Sequence, residues 1–258
     1  MNDPVSGFYD GLAENHHLIF KDWKASIEWQ ASVFGPLIET LGERLRILDC
    51  ACGIGTQALG LAQRGHSVVG TDLSAGPIRR ARREAGLRGL AMRFEVADFR
   101  ELATLGDAEF DAVLAADNAL PHMPTETDLS HAAHSIASKL RPGGLLVASI
   151  RDYDRVLADR PSTPPPAFFL DDGRRRIVHQ VWDWTSDRDY VAHLYITWET
   201  GAGWQSHHYV SPYRAVLREE LAQILAGAGF GDIRWLMPPE NGFYQPIVVA
   251  KRPGHAGL

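Results

Sequence analysis

The run Arg46–Ala58, RILDCACGIGTQA, joins a short apolar segment ending in Asp49 to a glycine turn and then to a helix-forming stretch. Ile47 and Leu48 favour a buried strand, Gly53 and Gly55 free the backbone to turn tightly and approach a ligand, and Thr56–Arg64 reads as a helix closed by Gly65. The unit aims a helix N-terminus at whatever occupies the turn, where loose N–H groups and the positive end of the helix dipole favour a carboxylate or a phosphate. By itself the turn serves either a dinucleotide or an adenosyl cofactor, because Gly53, Gly55 and Ala58 also satisfy the dinucleotide pattern.

The strand-helix alternation continues downstream. Ser67–Asp72 is a second apolar strand ending in an acid, and Asp72 lies 17 residues beyond Gly55 (72 minus 55). The second strand of a βαβ unit places there a carboxylate able to accept from ribose hydroxyls. Ser74 caps a helix over Pro77–Gly86, whose Arg79, Arg80, Arg82 and Arg83 spread round its circumference as a solvated face. A third strand, Met92–Ala97, ends at Asp98 and Phe99, and a fourth, Phe110–Ala116, opens into the loop Asp117–His122, where the substrate is expected. A helix over residues 126 to 140, a turn at Arg141–Gly144 and a fifth strand, Leu145–Ile150, complete the series. Five such alternations predict a doubly wound, mostly parallel sheet with right-handed crossovers. Its ligand would sit at the carboxyl ends of the strands, where Asp49, Asp72 and Asp98 gather.

The flanks read differently. Residues 1–41 form an aromatic-rich helical arm in which Ile19, Trp23, Ile27 and Phe34 recur near helical spacing, and Tyr9, Phe20 and Trp23 could wall a flat or cationic guest. After the core, 42–150, the proline-rich PSTPPP marks a boundary, and Arg176–Trp184, Val191–Glu199 and Trp204–Ser211 read as three strands of an antiparallel cap spanning 151–211. The last part, 212–258, contains a helix over Pro212–Gly229 and two closing strands, Ile233–Leu236 and Phe243–Lys251. His16 and His17 are neighbours in one helix, and His207 and His208 alternate along a strand, so neither pair suits a metal and none is expected.

With 26 basic against 32 acidic residues the net charge is -6, which argues against a nucleic-acid substrate. Cys50 and Cys52 are too close for a stabilising disulfide and point to a reducing compartment. No apolar run approaches the roughly 18 residues of a membrane span and no leader-like opening is evident, so a cytoplasmic location is expected.

The segments LDCACGIGTQALGLAQRGHSVVGTDLS, VADFREL, FDAVLAADNALPHM and LRPGGLLVASI, in that order over about residues 44 to 150, resemble the class I S-adenosylmethionine-dependent methyltransferases. The alanine-cysteine-glycine turn, NALPHM, RDYD and SHHYVSPYRAVLREELAQILAGAGF are similar to the glycine and sarcosine N-methyltransferase group. The resemblance implies a Rossmann-like, doubly wound, mostly parallel seven-stranded sheet with a small antiparallel β cap inserted after the fifth strand. It implies S-adenosyl-L-methionine as cofactor, with its methionine end over the turn Ala51, Cys52, Gly53 and Gly55 and Asp49 holding the turn or the amine. Asp72 would take the ribose, Leu73 and Phe99 would pack beside adenine, Asp98 would accept from the adenine amine, and Asp117 and Asn118 would line the sulfonium side. Trp23 would help cover the cofactor. Tyr9, Asn118 and His122 are the candidate catalytic residues. Tyr9, Asn118, Arg151, Arg176, Tyr209 and Tyr213 are candidate substrate contacts, with Lys24 and Arg176 as stand-ins for carboxylate-binding arginines. The implied reaction is methylation of a small molecule, at the nitrogen of an amine or amino acid. O-methylation of a phenol or carboxylic acid with His122 as base, a nicotinamide-dependent oxidoreductase and a non-catalytic cofactor-binding regulator are the alternatives, and the oligomeric state is open.

Overall fold

The structure, a computed structural model, describes residues 3–106 and 109–254. Helices α1 (Pro4–Leu12) and α2 (Trp23–Ile38) precede the sheet, separated by a 3-10 turn at His16–Ile19. The core then runs β1 (Arg46–Asp49), α3 (Thr56–Gln63), β2 (Ser67–Asp72), α4 (Ala75–Leu87), β3 (Arg93–Val96), β4 (Phe110–Ala115), α5 (Glu126–Lys139) and β5 (Leu140–Ser149). After α6 (Tyr153–Asp159) come β6 (Ala167–Asp171), β7 (Arg174–Trp184), β8 (Asp189–Thr200) and β9 (Gly203–Arg214). The chain ends on α7 (Arg218–Gly227), β10 (Gly231–Leu236), α8 (Pro238–Asn241) and β11 (Ile247–Lys251).

Seven strands form one sheet in the order β10-β11-β5-β4-β1-β2-β3. β1 pairs in parallel with β2 and β4, β2 with β3 and β4 with β5, while β11 runs antiparallel to both β5 and β10. This is the mostly parallel, doubly wound sheet expected from the alternation. The strand order reverses between β1 and β4, so the loops leaving those strands diverge and open a crevice at their carboxyl ends. Ile47, Leu48, Val113, Leu114, Leu146 and Val147 are fully buried because helices cover both faces. One face packs on α5 and α7 through Leu129, Ile136, Leu221 and Leu225. The other packs on α2, α3 and α4 through Ile27, Phe34, Leu59 and Ile78.

Gly60 explains how closely α2 lies on α3. A β-carbon there would stand 2.6 Å from the Ile27 carbonyl oxygen and 2.7 Å from the Ala31 β-carbon, so a side chain would push the helices apart. Asp22 caps α2 by accepting from the Ala25 amide at 3.1 Å, and Asp3 caps α1 by accepting from the Val5 amide at 2.8 Å. Asp10 pins α1 across the mouth of the crevice by accepting from the Gly76 amide at 2.5 Å.

The second sheet, β6-β7-β8-β9, is antiparallel throughout and is inserted between β5 and α7. Its inner face carries Tyr190, Ala192, Leu194 and Ile196 at alternate positions of β8, all buried. Several local expectations are corrected. The sheet has four strands, because Ala167–Asp171 pairs with β7 as an edge strand directly after the prolines. The helix expected from Pro212 starts at Arg218, since Pro212–Arg214 is still paired with β8. The segment Arg141–Gly144 continues β5, with a register shift against β4 between Phe110 and Ala112. As expected for a solvated face, Arg79, Arg82 and Arg83 of α4 are exposed, with Arg80 and Arg83 paired to Glu14 and Arg82 to the Phe94 carbonyl. No helix among the described residues is long and apolar enough to cross a membrane.

Candidate active site

The glycine turn is held from both sides. The Cys50 amide donates to the Leu114 carbonyl at 2.9 Å and the Cys52 amide to the Thr71 carbonyl at 2.8 Å, so the loop is anchored to β4 and β2 at once. Gly53 and Gly55 take φ of +53° and +94°, a region that penalises any β-carbon, and Gly55 hands the chain to α3. Asp72 completes the turn. Its two carboxylate oxygens accept from the Gly53 and Ser74 amides, each at 2.9 Å, and it still lines the crevice. Burial pushes its carboxyl up to about 6. Beneath the turn and outside the crevice lining, Asp49 is buried with no well-formed hydrogen bond, and burial raises its carboxyl to about 7 against the lowering effect of the nearby Ala51 and Ala58 amides. An acid left without a partner in the interior is costly and calls for a cationic or donor group.

The crevice extends from this turn along Leu73 and Asp98–Arg100 on one side and along Asp117, Ala119 and His122–Pro124 on the other. Pro4, Val5 and Tyr9 of α1, with His16 and Phe20 after it, form its roof. Asp98 is engaged on both oxygens by the Arg100 guanidinium, at 2.6 Å to Nη2, and Arg100 also reaches Asp128. Asp117 adopts φ +58°, which a short polar residue tolerates, and its carboxylate accepts from the Tyr244 hydroxyl at 2.6 Å.

Tyr9 and His122 meet across the roof, Oη to Nε2 at 2.9 Å. The other ring nitrogen, Nδ1, lies 3.2 Å from the Pro212 carbonyl, which can only accept, so Nδ1 carries the proton and Nε2 accepts the Tyr9 O–H. The Tyr9 oxygen is thereby left as an acceptor, with the Tyr213 hydroxyl as its other close polar neighbour. Burial pushes His122 down to about 3 and the Tyr9 phenol well up, so both are neutral near pH 7.

The crevice therefore gathers Tyr9, Ala51, Cys52, Gly53, Asp72, Leu73, Asp98, Phe99, Asp117 and His122 from five separate chain segments. Gly55 shapes the turn from behind. Other expected residues stand elsewhere. Asn118 turns away, donating to the Tyr153 hydroxyl at 3.1 Å and accepting from the Arg151 amide at 2.9 Å, so it ties the loop to the start of α6. Trp23 donates to the Thr56 hydroxyl at 2.9 Å and packs under Arg80 and Arg88 instead of covering the crevice. Arg176 is consumed by Asp171 and by the Leu18 and Phe20 carbonyls, and Tyr209 accepts from Asn15 against Phe8. Lys24 lies in a separate surface groove beside Glu28. Tyr213 packs on His122 with ring centroids 4.1 Å apart and planes tilted by 35°, and Arg151 lies behind it, over the Tyr213 and Trp182 rings. His16, Thr56, Gln57, Arg100, Met123 and Pro212 line the crevice without having been expected to, because none of them stands at a position that strand or turn spacing singles out.

The sheet order, the anchored glycine turn and the acids at the strand ends match the Rossmann-like fold of the class I methyltransferases. Residues 47–144 match the family model described as a methyltransferase domain. The chain is 35% identical over 136 residues to the glycine/sarcosine N-methyltransferase of Parasynechococcus marenigrum, covering 53% of this chain and 48% of that protein. It thus spans about half the length of that relative. Over 86% of its length it is 25% identical to the putative methyltransferase YqeM of Bacillus subtilis, of which it covers 83%. Among solved structures it superposes with a TM-score of 0.72, at 22% identity, on S-adenosylmethionine-bound CalS10, an amino pentose methyltransferase from Micromonospora echinaspora, with 88% of this chain and 92% of that one covered.

Proposed function

We propose that this protein is an S-adenosylmethionine-dependent methyltransferase that methylates the nitrogen of a small-molecule amine. The observation that carries the reading is the pair of buried acids at the turn. Asp72 is fixed by two backbone amides with lone pairs left toward the crevice, and Asp49 lies unpartnered below. Two ribose hydroxyls suit the first and an ammonium suits the second, which together describe an adenosyl amino acid better than a dinucleotide. Leu73 and Phe99 offer apolar contact for an adenine plane, and Asp98, already engaged by Arg100, marks the polar end of that subsite.

When bound, S-adenosylmethionine supplies an electrophilic methyl group. The chain's own contribution is positioning and exclusion of water, which can lower a barrier by about 7 to 11 kcal/mol in well-aligned systems. Helix α1, pinned by Asp10, roofs the crevice, and Tyr9 presents an oxygen whose hydroxyl hydrogen is held by His122. That oxygen can accept from an acceptor N–H and orient its lone pair. The same geometry favours nitrogen over oxygen as acceptor. With its lone pair committed to Tyr9 and the ring pushed down to about 3, His122 is not set up as a strong base, and a neutral amine needs none. Arg151 has no carboxylate partner among the described residues and stands one aromatic layer behind the crevice, which suits an acceptor bearing negative charge, such as an amino acid. The relatives named above, a glycine/sarcosine N-methyltransferase and an amino pentose methyltransferase, agree with an amine acceptor. The four-stranded sheet serves as the substrate-side cap. Both free cysteines suit a reducing cytoplasm.

Titration with S-adenosylmethionine, S-adenosylhomocysteine and NADH tests the cofactor. Binding of the two adenosyl compounds is expected, and binding of NADH alone would sink the reading. A screen of amines, amino acids and phenols for S-adenosylhomocysteine release tests the acceptor. Turnover confined to phenols would transfer the assignment to O-methylation, and cofactor binding without turnover on any acceptor would favour a regulator.

A further inference from the structure

If S-adenosylmethionine occupies the crevice, its carboxylate meets an unusually acidic surrounding. Asp72, Asp98 and Asp117 all line the crevice, and the one guanidinium that lines it among the described residues, that of Arg100, is already shared between Asp98 and Asp128. Several donors at the turn are committed, and the backbone amides that open α3 stand beside them. The Cys52, Gly53 and Gly55 amides serve the Thr71 carbonyl, Asp72 and the Cys52 carbonyl, and the Gln57 amide serves Gln30. Thr56 accepts from Trp23, which leaves its own hydroxyl hydrogen as one donor.

His16 is another. It follows α1 in the 3-10 turn and lines the crevice directly against the glycine turn, with its Cε1 and Nδ1 3.6 and 3.9 Å from where a β-carbon on Gly53 would stand. Its plane is set by Phe20, stacked with centroids 6.3 Å apart, and by Tyr9 at 6.0 Å. Yet its Nδ1 is buried without a partner, and no side chain or carbonyl among the described residues is hydrogen-bonded to the ring. Burial, followed by the nearby His17 and Arg80, drives the imidazole down to about 4, so it is a neutral ring with one N–H to give. A rigidly stacked imidazole with unused hydrogen-bonding capacity beside the turn is a poor packing residue and a good recognition group.

We propose that His16 is a cofactor-positioning residue that donates a ring N–H to the carboxylate of bound S-adenosylmethionine above the Gly53 turn. The assignment rests on the cofactor reading given above and adds the residue that reads the amino-acid end. Its test compares S-adenosylmethionine with decarboxylated S-adenosylmethionine, which keeps the ammonium and sulfonium and lacks the carboxylate. In titrations of the full chain, His16→Phe keeps the aromatic stack and is expected to weaken S-adenosylmethionine by roughly ten- to a hundredfold, the range for a hydrogen bond to a charged group. Affinity for the decarboxylated ligand is expected to stay within about twofold of wild type. His16→Asn and His16→Gln place an amide near Nδ1 and Nε2 respectively, and one of them is expected to recover most of the loss. Unchanged S-adenosylmethionine affinity in His16→Phe would overturn the assignment, as would equal losses for both ligands, which mark a purely structural role. Wild-type protein that binds neither ligand would overturn the cofactor reading and His16 with it, an outcome distinguishable from a variant that merely matches a binding-competent wild type.

Discussion

Asp72 and Asp49 sit at the same turn and do opposite things for stability and for binding. Asp72→Ala removes the acceptor for the Gly53 and Ser74 amides along with the ribose contact, and cofactor affinity is expected to fall by about 1.5 to 3 kcal/mol in a titration. Asp49→Asn removes a buried carboxylate that has no partner in the free chain. The variant is expected to unfold at higher denaturant, by on the order of 1 to 3 kcal/mol, while binding S-adenosylmethionine more weakly. Equal losses of stability and affinity would contradict the assignment of Asp49 to the ammonium. At the roof, Tyr9→Phe preserves the ring against His16 and His122 and strips one hydroxyl, leaving the buried His122 Nε2 unpaired. Denaturation should register a cost of about 1 to 3 kcal/mol, and turnover should drop more than cofactor affinity does.

Two elements set the shape of the crevice without supplying its chemistry. The first is the α2–α3 contact, where Gly60 lets the backbone of one helix touch the other. Gly60→Val is expected to cost about 1 to 3 kcal/mol in chemical denaturation by forcing those helices apart, and an unchanged midpoint would mean that α2 can shift freely. The second is the loop after β4, where Asp117 and Asn118 both take left-handed backbone and Ser149 receives the Asp117 amide at 2.8 Å. The Asn118 side chain is spent on that closure, which is why a residue expected beside the sulfonium faces α6 instead. Trp23 and Arg176 illustrate the same point. Each has the chemistry of a binding residue, and each is drawn off by a partner far away in the chain, Thr56 in one case and Asp171 with the Leu18 and Phe20 carbonyls in the other.

For the molecule as a whole, the buried acids make stability depend on pH in a direction that the cofactor reverses. Folded Asp49 and Asp72 hold their protons to about 7 and about 6, well above an ordinary aspartate. Between those values and about 4 these two acids bind more protons in the folded chain, so their own contribution to stability falls as pH rises from about 5 to about 8, opposed below about 7 by His16 and His122, which burial holds neutral in the folded chain. Ribose hydroxyls and an ammonium favour the ionised carboxylates, so the gain in melting temperature on adding S-adenosylhomocysteine is expected to grow over the same range. Scanning calorimetry with and without the ligand across that interval checks the gain, and a constant gain would contradict both roles. The sequence alone determined the alternation of strands and helices, the glycine turn and the acids that end β1 and β2, because these are local properties of spacing, backbone freedom and apolar runs. Only the tertiary structure decided that Ala167–Asp171 is an edge strand, that β9 extends through Pro212, and which of the expected polar side chains face the crevice. Those outcomes depend on which partner wins each donor and acceptor. For Asn118, Trp23, Arg176 and His16 the competing partners, or the lack of one, lie in distant segments brought together only by folding.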